Sequence, residues 1–350
     1  MISSRTYSSL HYTKQVLNKV SFLRNDQLFI QKALVHPETR FIPFHDFYPF
    51  VESSTNTLLK LRGTPEVQSY LSDTVSAQLV FLGLLPSRES TFLYKARYQG
   101  TPTFALDVTT ESELNSHLLN SSRYKKLGNY QDLNQLDTEE SSLTSQAKTY
   151  LHWLSTHKFC SLCGSPNKVI HAGTKLRCSN GLCSSNKTVS NVSFPRTDPV
   201  AITAIANTDF SKVLLCKSGA PRNKGRNMYA CVSGFVEPGE TVENAAAREV
   251  WEETGLNVDN VDVVVTQPWP FPNNLMLGCI ARVNENQDIS LTHDCELEDA
   301  RWVDIKTMHT LLNNKEDHLG VLRDGKTNIA VPNAKTIAHL LLKHVVDRGA

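Results

Sequence analysis

The sequence predicts an α+β protein in three parts, and two observations lead to this prediction. The first 120 residues contain short runs of apolar and β-branched residues, whereas strand-like and helical patterns alternate after Pro199. Four of the eight cysteines lie between these regions, within 24 residues of one another. We therefore expect a β-rich N-terminal domain with a connector over 1–141, a helix and a cysteine-rich module over 142–193, and an α/β domain over 194–350.

Short apolar runs bounded by Pro, Gly or charged residues predict the strands of the N-terminal domain: Gln78–Leu85, Phe92–Tyr98 and Thr103–Val108. The stretch from Asn120 to Ser142 has few apolar residues and is interpreted as a connector. Ala147, Tyr150, Leu151 and Leu154 recur at helical spacing and predict one short amphipathic helix before the cysteines. No internal repeat is apparent in the sequence.

Buried strands and helices are expected to alternate after Pro199. The predicted strands are Val200–Ala206, Val213–Cys216, Tyr229–Val232, Val261–Thr266 and Leu277–Val283. A helix is predicted from Thr241 to Thr254, ended by Gly255, and a last helix over Lys335–Val346.

The charge of the chain is balanced overall but uneven locally. A formal net charge of +1 excludes a strong general attraction to nucleic acids or membranes. Between Ser141 and Thr197, however, the chain has seven Lys or Arg residues and no Asp or Glu. This segment could attract the phosphates of an RNA chain, although a solvated basic surface explains the composition as well.

The chain has no apolar run near the roughly 20 residues that span a bilayer, and its N-terminus lacks the apolar core of a secretory signal. Its basic, Ser-rich start also fits a mitochondrial transit peptide, but an ordinary flexible N-terminus is the simpler interpretation. The last residues are not a peroxisomal signal of the Ser-Lys-Leu type. We expect an intracellular, cytoplasmic protein without a membrane partner, and a mitochondrial or peroxisomal location stays open.

The cysteine cluster predicts a structural zinc site, one Zn²⁺ per chain. Two residues separate Cys160 from Cys163 and four separate Cys178 from Cys183, and four thiolates satisfy the tetrahedral preference of Zn²⁺. Gly164 allows a tight turn after the first pair. Four protein ligands leave no position for a reactive water, so the zinc is expected to hold the fold. Four free, buried thiols are the alternative.

Three glutamates in the predicted helix at Thr241 form the candidate catalytic centre. Glu249, Glu252 and Glu253 are spaced i, i+3 and i+4 and so share one helix face, where Mg²⁺ or Mn²⁺ would offset their repulsion and bridge them to a diphosphate. Gly234 and Gly239 would let the backbone present a carbonyl, such as that of Ser233, to the metal. Arg248 is placed to pair with Glu240. A solvated acidic face explains the three glutamates alone equally well.

A proline-rich segment with two aromatic residues follows the acidic helix, from Gln267 to Asn274. Three prolines restrict this segment, so Trp269 and Phe271 would lose little conformational freedom when a ring stacks on them. It is a candidate substrate loop, and an ordinary packed loop is the alternative.

These motifs resemble those of a known family. The chain from Gly234 to Leu256 matches the Nudix box, G-x5-E-x7-R-E-U-x-E-E-x-G-U with U an aliphatic residue, at every specified position. With the loop and the cysteine module, it is similar to the NADH pyrophosphatase family of Nudix hydrolases, whose members also remove NAD caps from RNA. The family's loop has Ser where this chain has Thr266 and Asn274. The run from Phe194 to Pro199 is similar to the family's linker.

The resemblance implies a Nudix α/β/α sandwich with a mixed sheet, and it implies roles for individual residues. The metal ligands would be Ser233, Glu249, Glu252, Glu253 and Glu296. Glu296 lies six residues before Trp302, where the family has a further acid, and Glu298 is the alternative. Glu253 would be the catalytic base, assisted by Glu249 and Glu252. The substrate would be bound by Phe194, Gln267, Pro268, Trp269, Pro270, Phe271, Pro272, Asn273, Asn274 and Ala338.

The implied reaction is hydrolysis of NAD(H) to NMN(H) and AMP, extended to NAD-capped RNA, by a homodimer. Lys217, Arg222, Lys224 and Arg226, with the basic module, could form a track for the RNA phosphates. A Nudix hydrolase of ADP-ribose or dinucleoside polyphosphates would share the box without needing the loop. A non-enzymatic RNA-binding protein built on a zinc ribbon would be expected to have lost box carboxylates, and none is missing.

Overall fold

A computed structural model of the chain describes residues 10–63, 67, 70, 79–110, 112–187, 192–219, 227–315, 321–323 and 329–349. The chain divides into two compact units. The N-terminal unit is Lys14–Arg196, and the C-terminal unit combines Thr197–Ala350 with the N-terminal segment Met1–Thr13. No helix of the described residues is long and apolar enough to cross a membrane.

A six-stranded sheet and the helices of the described residues form most of the N-terminal unit. Its strands are β1 (Arg40–His45), β2 (Tyr48–Glu52), β3 (Leu61–Arg62), β4 (Leu79–Leu85), β7 (Thr101–Asp107) and β8 (Tyr124–Lys126), and β5 (Leu93–Tyr94) and β6 (Tyr98–Gln99) form a separate hairpin. Its helices are α1 (Gln27–Val35), α2 (Glu113–Asn120), α3 (Tyr130–Leu133) and α4 (Thr138–Thr156), with a 3₁₀ turn at Ser21–Leu23. The sheet order is β4-β7-β1-β2-β8, and β3 pairs with β1.

Two predictions for this unit are corrected. The single strand expected over Phe92–Tyr98 is the hairpin of β5 and β6, because Lys95 and Ala96 both have positive φ and turn the chain. The expected connector contains β8, α3 and the start of α4. Polar residues of α4 from Glu140 to Ser145 are buried, so this helix lacks the apolar periodicity that would have revealed its first turns.

The cysteine module is a small three-stranded sheet within the same unit. Its strands are β9 (Asn167–Ile170), β10 (Lys175–Cys178) and β11 (Val192–Ser193), and their order in the sheet is β11-β10-β9. A 3₁₀ turn at Ser184–Lys187 lies between β10 and β11 in the chain. All strand pairs are antiparallel.

The C-terminal unit is also built on a six-stranded mixed sheet. Its strands are β12 (Asp198–Asn207), β13 (Lys212–Ser218), β14 (Val232–Phe235), β15 (Val258–Trp269), β16 (Asn274–Val283) and β17 (Leu297–Asp304), with a separate pair β18 (Val321–Arg323) and β19 (Ala330–Pro332). Its helices are α5 (Val242–Thr254), α6 (Ile305–Leu312) and α7 (Ile337–Gly349). The sheet order is β15-β16-β12-β13-β17; β14 pairs with β12, and β12 and β16 run parallel.

Helices cover both faces of this sheet, as the alternation along β12 shows. Val200 and Ala204 pack in the cluster that contains residues of α7, whereas Ala201 packs with Ala245 and Ala246 of α5. Neighbouring strand residues point to opposite faces, so α5 and α7 lie on opposite sides. The α/β/α sandwich with a mixed sheet is confirmed. The expected third strand begins at Val232 instead of Tyr229, and α7 begins at Ile337.

Candidate functional site

The acidic helix α5 is defined at both ends by local signals. The Thr241 hydroxyl accepts a hydrogen bond from the Asn244 N–H at 3.3 Å, which caps the N-terminus. At the C-terminus, Gly255 adopts φ of 73° and donates its N–H to the Trp251 carbonyl at 2.8 Å. Ala245 and Ala246 are fully buried against the sheet, and these small side chains let the helix approach the strands closely.

Helix α5 approaches strand β14 closely at Glu249. A Cβ at Gly234 would overlap the carboxylate of Glu249. Gly234 itself pairs with Ala201 in the sheet, so its backbone has little freedom to move aside. Glycine is therefore required here because the carboxylate occupies the space of a side chain.

Arg248 organises the acids on one side of α5. Its Nε and Nη2 donate to the two carboxylate oxygens of Glu240, at 2.7 and 3.0 Å. Its Nη1 donates to Glu249 at 2.7 Å and to Glu252 at 2.8 Å. These hydrogen bonds with Arg248 lower the pKa of Glu240 to about 2 and raise that of Arg248. One guanidinium thus fixes three carboxylates, as its rigid fork of donors allows.

Glu253 lies outside this network and is the most buried of the box acids, with 5% of its surface exposed. Among the described residues no Lys or Arg forms an ion pair with it. Burial, followed by the charges of Glu249 and Glu296, raises the pKa of Glu253 to about 8, against a backbone hydrogen bond from Ser233 that lowers it. Burial also raises the pKa of Glu249. Glu249 is partly compensated by Arg248, whereas the carboxylate of Glu253 is a buried charge that no described Lys or Arg pairs.

Glu296 joins this group from the turn before β17. Its carbonyl accepts the Gly219 N–H at 2.7 Å, and its charge acts on both Glu249 and Glu253. Glu298 instead forms an ion pair with Lys217 at 3.0 Å. Sequence reasoning missed Asp294, whose charge also contributes to the raised pKa of Glu253. Its position two residues before Glu296 in the sequence was the available signal.

The four cysteines of the module come together as expected. The sulfur atoms of Cys160, Cys163, Cys178 and Cys183 all lie within 4.8 Å of one another. Gly164 has φ of 72°, and its N–H donates to the Cys160 carbonyl at 2.9 Å, which forms the tight turn after the first pair. Hydrogen bonds from Ser165 lower the pKa of Cys163 to about 6 and so favour its thiolate, the form that binds metal.

The segment from Gln267 to Asn274 forms the end of a hairpin, where a loop was expected. Gln267, Pro268 and Trp269 belong to β15 and pair with Met276, Leu275 and Asn274 of β16. Gln267 is fully buried. Its amide donates to the carbonyls of His11 and Lys335, at 3.0 and 2.9 Å, and accepts the Ile337 N–H at 2.7 Å.

The aromatic residues of this hairpin remain partly exposed. Trp269 and Phe271 contact each other edge to face at 5.4 Å, and Tyr12 contacts both, at 6.1 and 6.3 Å. Tyr12 was missed by sequence reasoning because nothing in its local pattern indicates that the N-terminal segment packs on this hairpin. The three rings form one rigid aromatic group.

The remaining positions of the candidate loop differ in exposure. Pro270 and Asn273 are buried, and the Asn273 amide donates to Asp198 at 3.2 Å, whereas Pro272 is exposed. The side-chain oxygen of Asn274 is buried, with no hydrogen-bond partner among the described residues. Ala338 is buried, and its carbonyl accepts a weak hydrogen bond from the Cys231 thiol at 3.8 Å.

Comparison with known proteins is consistent with this geometry along the whole chain. The sequence profile of the NUDIX domain matches residues 196–324, that of the NADH pyrophosphatase zinc ribbon domain matches 155–186, and that of the NADH pyrophosphatase-like rudimentary NUDIX domain matches 38–153. The chain is 38% identical to the NAD-capped RNA hydrolase NPY1 of Saccharomyces cerevisiae, over 96% of this chain and 95% of that protein.

The chain belongs to the NADH pyrophosphatase family of Nudix hydrolases. It is also 32% identical to the human NAD-capped RNA hydrolase NUDT12, over 95% of this chain and 72% of that protein. Its identity to the mouse mitochondrial NAD(P)H pyrophosphatase NUDT13 is 31%, over 88% of this chain and 84% of that protein. The family resemblance deduced from the box, the loop and the ribbon is confirmed, and the chain is a Nudix enzyme.

Some of the predicted site residues belong to the N-terminal unit or are outside the described residues. Phe194 belongs to the N-terminal unit, where its ring is 54% exposed and lies 4.8 Å from the Lys175 Nζ. Of the basic residues proposed for an RNA track, Arg222, Lys224 and Arg226 lie outside the described residues. Lys217 lies within the described residues and forms an ion pair with Glu298.

Proposed function

We propose that the chain hydrolyses the pyrophosphate bond of NAD(H) to give NMN(H) and AMP, and that it also removes NAD caps from RNA. Support comes from the box acids and from relatives named NAD-capped RNA hydrolases and an NAD(P)H pyrophosphatase, which match most of the chain. The observation that carries the proposal is the group of carboxylates in which Glu249 lies against Gly234 and the buried Glu253 forms no ion pair with any described Lys or Arg.

The donor set of this site fits a hard divalent cation, which we propose is Mg²⁺ or Mn²⁺. Burial and neighbouring carboxylates raise the pKa of both Glu249 and Glu253. Arg248 pairs with Glu249, but no described Lys or Arg pairs with Glu253, so the site favours a further positive charge. Oxygen ligands are those that Mg²⁺ and Mn²⁺ prefer. Glu249, Glu253 and Glu296 would hold the ions, with Glu252 and the Ser233 carbonyl contributing. The bound metal would neutralise the diphosphate and lower the pKa of water.

Each protein residue then has a distinct role. Arg248 keeps Glu249 and Glu252 in place, since it bonds both carboxylates with Nη1. We assign Glu253 as the general base that takes the proton from the attacking water onto a carboxylate oxygen. Its burial, with 5% of its surface exposed, and its position outside the Arg248 network support this assignment.

We propose that the hairpin binds a substrate ring through Trp269 and Phe271, which Tyr12 supports from the side. Gln267 has a different proposed role from the one expected of a loop residue. Both of its polar atoms are used inside the protein, so it positions the hairpin against the start of α7 instead of touching substrate.

A comparison of substrates tests the proposal. NADH, NAD⁺, ADP-ribose, a dinucleoside polyphosphate and NAD-capped RNA are offered at equal concentration with Mg²⁺ or Mn²⁺, and the products are separated by chromatography. We expect NMN(H) and AMP, with higher kcat/KM for NAD(H) than for ADP-ribose. A preference for ADP-ribose or dinucleoside polyphosphates would replace the proposal with the alternative Nudix activity.

Zn²⁺ and a homodimer complete the proposed assembly. The four clustered sulfurs support one structural Zn²⁺ per chain, and the dimer is an expectation from the family. Sedimentation velocity would measure the mass in solution. A single species with the mass of one chain would exclude the homodimer.

A further inference from the structure

One face of the ribbon sheet carries a row of basic residues. The strand register places Lys168 of β9 opposite Arg177 of β10, and Ile170 opposite Lys175. Residues directly opposite each other in an antiparallel pair share a face, as do residues two apart in one strand. Lys168, Ile170, Lys175 and Arg177 therefore lie on the same face, and Phe194 joins them through its contact with Lys175 at 4.8 Å. We name these five residues the ribbon face.

The opposite side of the same sheet is buried. Leu176 is 2% exposed and packs with Val169 in a core cluster of the N-terminal unit. This packing fixes which side of the sheet is turned outward. Lys168, Arg177 and Phe194 are all exposed on the outward side. The ribbon face is thus a defined surface of a rigid sheet.

The positive charge of this surface is not neutralised. Within the described part of the chain, Lys168, Lys175 and Arg177 form no ion pair with a carboxylate, and the sequence has no acid between Ser141 and Thr197. Their field also acts on a neighbour: burial, followed by the charges of Lys175 and Arg177, lowers the pKa of His171. Unpaired basic side chains on one rigid face attract a polyanion and raise its local concentration.

We propose that the ribbon face binds the single-stranded RNA chain that follows an NAD cap. Lys168, Lys175 and Arg177 would contact phosphates, and the exposed ring of Phe194 would stack on a base. Lys and Arg together with an exposed aromatic ring on a sheet are the features that single-stranded nucleic acids use, whereas an acidic peptide has no need of the ring. The biological role of this surface rests on the proposed removal of NAD caps.

Binding of a fluorescein-labelled, uncapped single-stranded RNA to the full-length, zinc-loaded protein tests this inference without requiring hydrolysis. The double variant Lys168→Glu with Arg177→Glu should weaken binding about tenfold or more at low salt. The salt dependence should also fall by about 0.7 per lost contact, so by about 1.4 for both. The kcat/KM for capped RNA should fall with the affinity, while kcat/KM for free NADH stays within about twofold of wild type.

Two controls separate charge from folding. The variant Lys19→Glu with Lys306→Glu changes the net charge equally at exposed residues off the ribbon face, and its RNA affinity should equal that of the wild type. Lys168→Gln with Arg177→Gln removes the charges more gently, and zinc content checks that the ribbon of each variant is intact. An intact ribbon-face variant with unchanged RNA affinity and salt dependence would overturn the inference.

Three further outcomes can be distinguished from one another. If poly-glutamate competes with RNA as well as unlabelled RNA does, the ribbon face is a site for acidic polypeptides and the inference is wrong. If the wild type binds RNA through the ribbon face but hydrolyses neither NADH nor capped RNA, the proposed function fails while the RNA-binding surface stands. If it hydrolyses NADH but RNA binding is insensitive to the ribbon face, only the inference fails.

Discussion

In the N-terminal unit, β1 and β2 form a hairpin, β3 pairs with β1, and β7 lies parallel to β1 between β1 and β4. In the C-terminal unit, β12 and β13 form a hairpin, β14 pairs with β12, and β16 lies parallel to β12 between β12 and β15. The remaining strands, β8 and β17, pair with the second strand of each hairpin. The six strands of the two sheets are therefore connected in the same way.

The segment after the third strand differs between the two units. In the C-terminal unit it is the acidic helix α5, with three glutamates at helical spacing and an arginine that orients two of them. In the N-terminal unit it is residues 63–78, whose two acids, Glu66 and Asp73, are seven residues apart. The same sheet thus exists with and without the catalytic acids, and chemistry depends on the site and not on the fold.

The size of the buried side chains also differs between the two units. The core of the N-terminal unit contains large, fully buried rings such as Phe29, Phe81 and Phe104. Under α5, the contacts with the sheet involve Ala201, Ala245 and Ala246. Small residues bring the helix close enough to the sheet for Glu249 to lie against Gly234. Large rings stabilise the N-terminal unit by burying more apolar surface but would hold a helix too far away for such a contact.

The largest contrast between the units is expected from their buried glutamates. Glu253→Gln should lower kcat for NADH about 100-fold or more, because it removes the proposed base with little change in volume. Glu140→Gln, at a buried position in the N-terminal unit that accepts the Leu58 N–H, should keep activity and lower the free energy of unfolding by about 1 kcal/mol. Steady-state rates and urea unfolding measure both. Glu253→Gln activity within about threefold of wild type would refute the role of Glu253.

A matched pair of glycines tests the close approach of α5. Gly234→Ala should lower kcat about tenfold or more, because the new Cβ would displace the Glu249 carboxylate. Gly128→Ala in the N-terminal unit is the control, since its Cβ would come no closer than 3.7 Å to Asp132. Wild-type rates for Gly234→Ala, in a protein with a normal circular dichroism spectrum, would show that the position of Glu249 is not critical.

Metal analysis tests whether the units depend on different ions. Preparations in metal-free buffer should contain about one zinc per chain, and Cys160→Ser with Cys178→Ser should remove it. Loss of zinc should lower the thermal transition of the N-terminal unit by at least about 5 °C. Cys295→Ser, an exposed cysteine of the C-terminal unit, should retain zinc. Zinc retained in the double variant would exclude the proposed site.

The last contrast concerns the pH dependence of stability in the N-terminal unit. Burial lowers the pKa of Lys148 to about 8, so between about pH 8 and its unfolded value of 10.5 the unfolded chain binds the additional proton. Stability should therefore rise with pH in this window, by about 2 kcal/mol between pH 8 and 10. Lys148→Met should lack this increment. Urea unfolding of both proteins at the two pH values gives the difference, and parallel curves would contradict the expected shift.

Much of the C-terminal unit is predictable because its signals are local. The box fixes the spacing of Glu249, Glu252 and Glu253 on one helix turn, and Thr241 and Gly255 mark the helix ends. The cysteine spacing likewise identifies the metal cluster. Errors arose where polar residues are buried, as along α4, or where φ is positive at Lys95 and Ala96, since neither feature has a distinctive apolar pattern.

The amino-acid sequence by itself determined which chemical groups are present and at what spacing: the box acids, the four thiols and the aromatic hairpin residues. Only the tertiary structure decided which of them face one another. It brought Glu296 near Glu249 and Glu253, buried the Gln267 amide against two backbone carbonyls, and placed Tyr12 on Trp269 across more than 250 residues of chain. The sequence also did not predict that the strands of the two sheets are connected in the same order. Contacts between distant residues depend on the packing of whole sheets and helices, which no local pattern specifies.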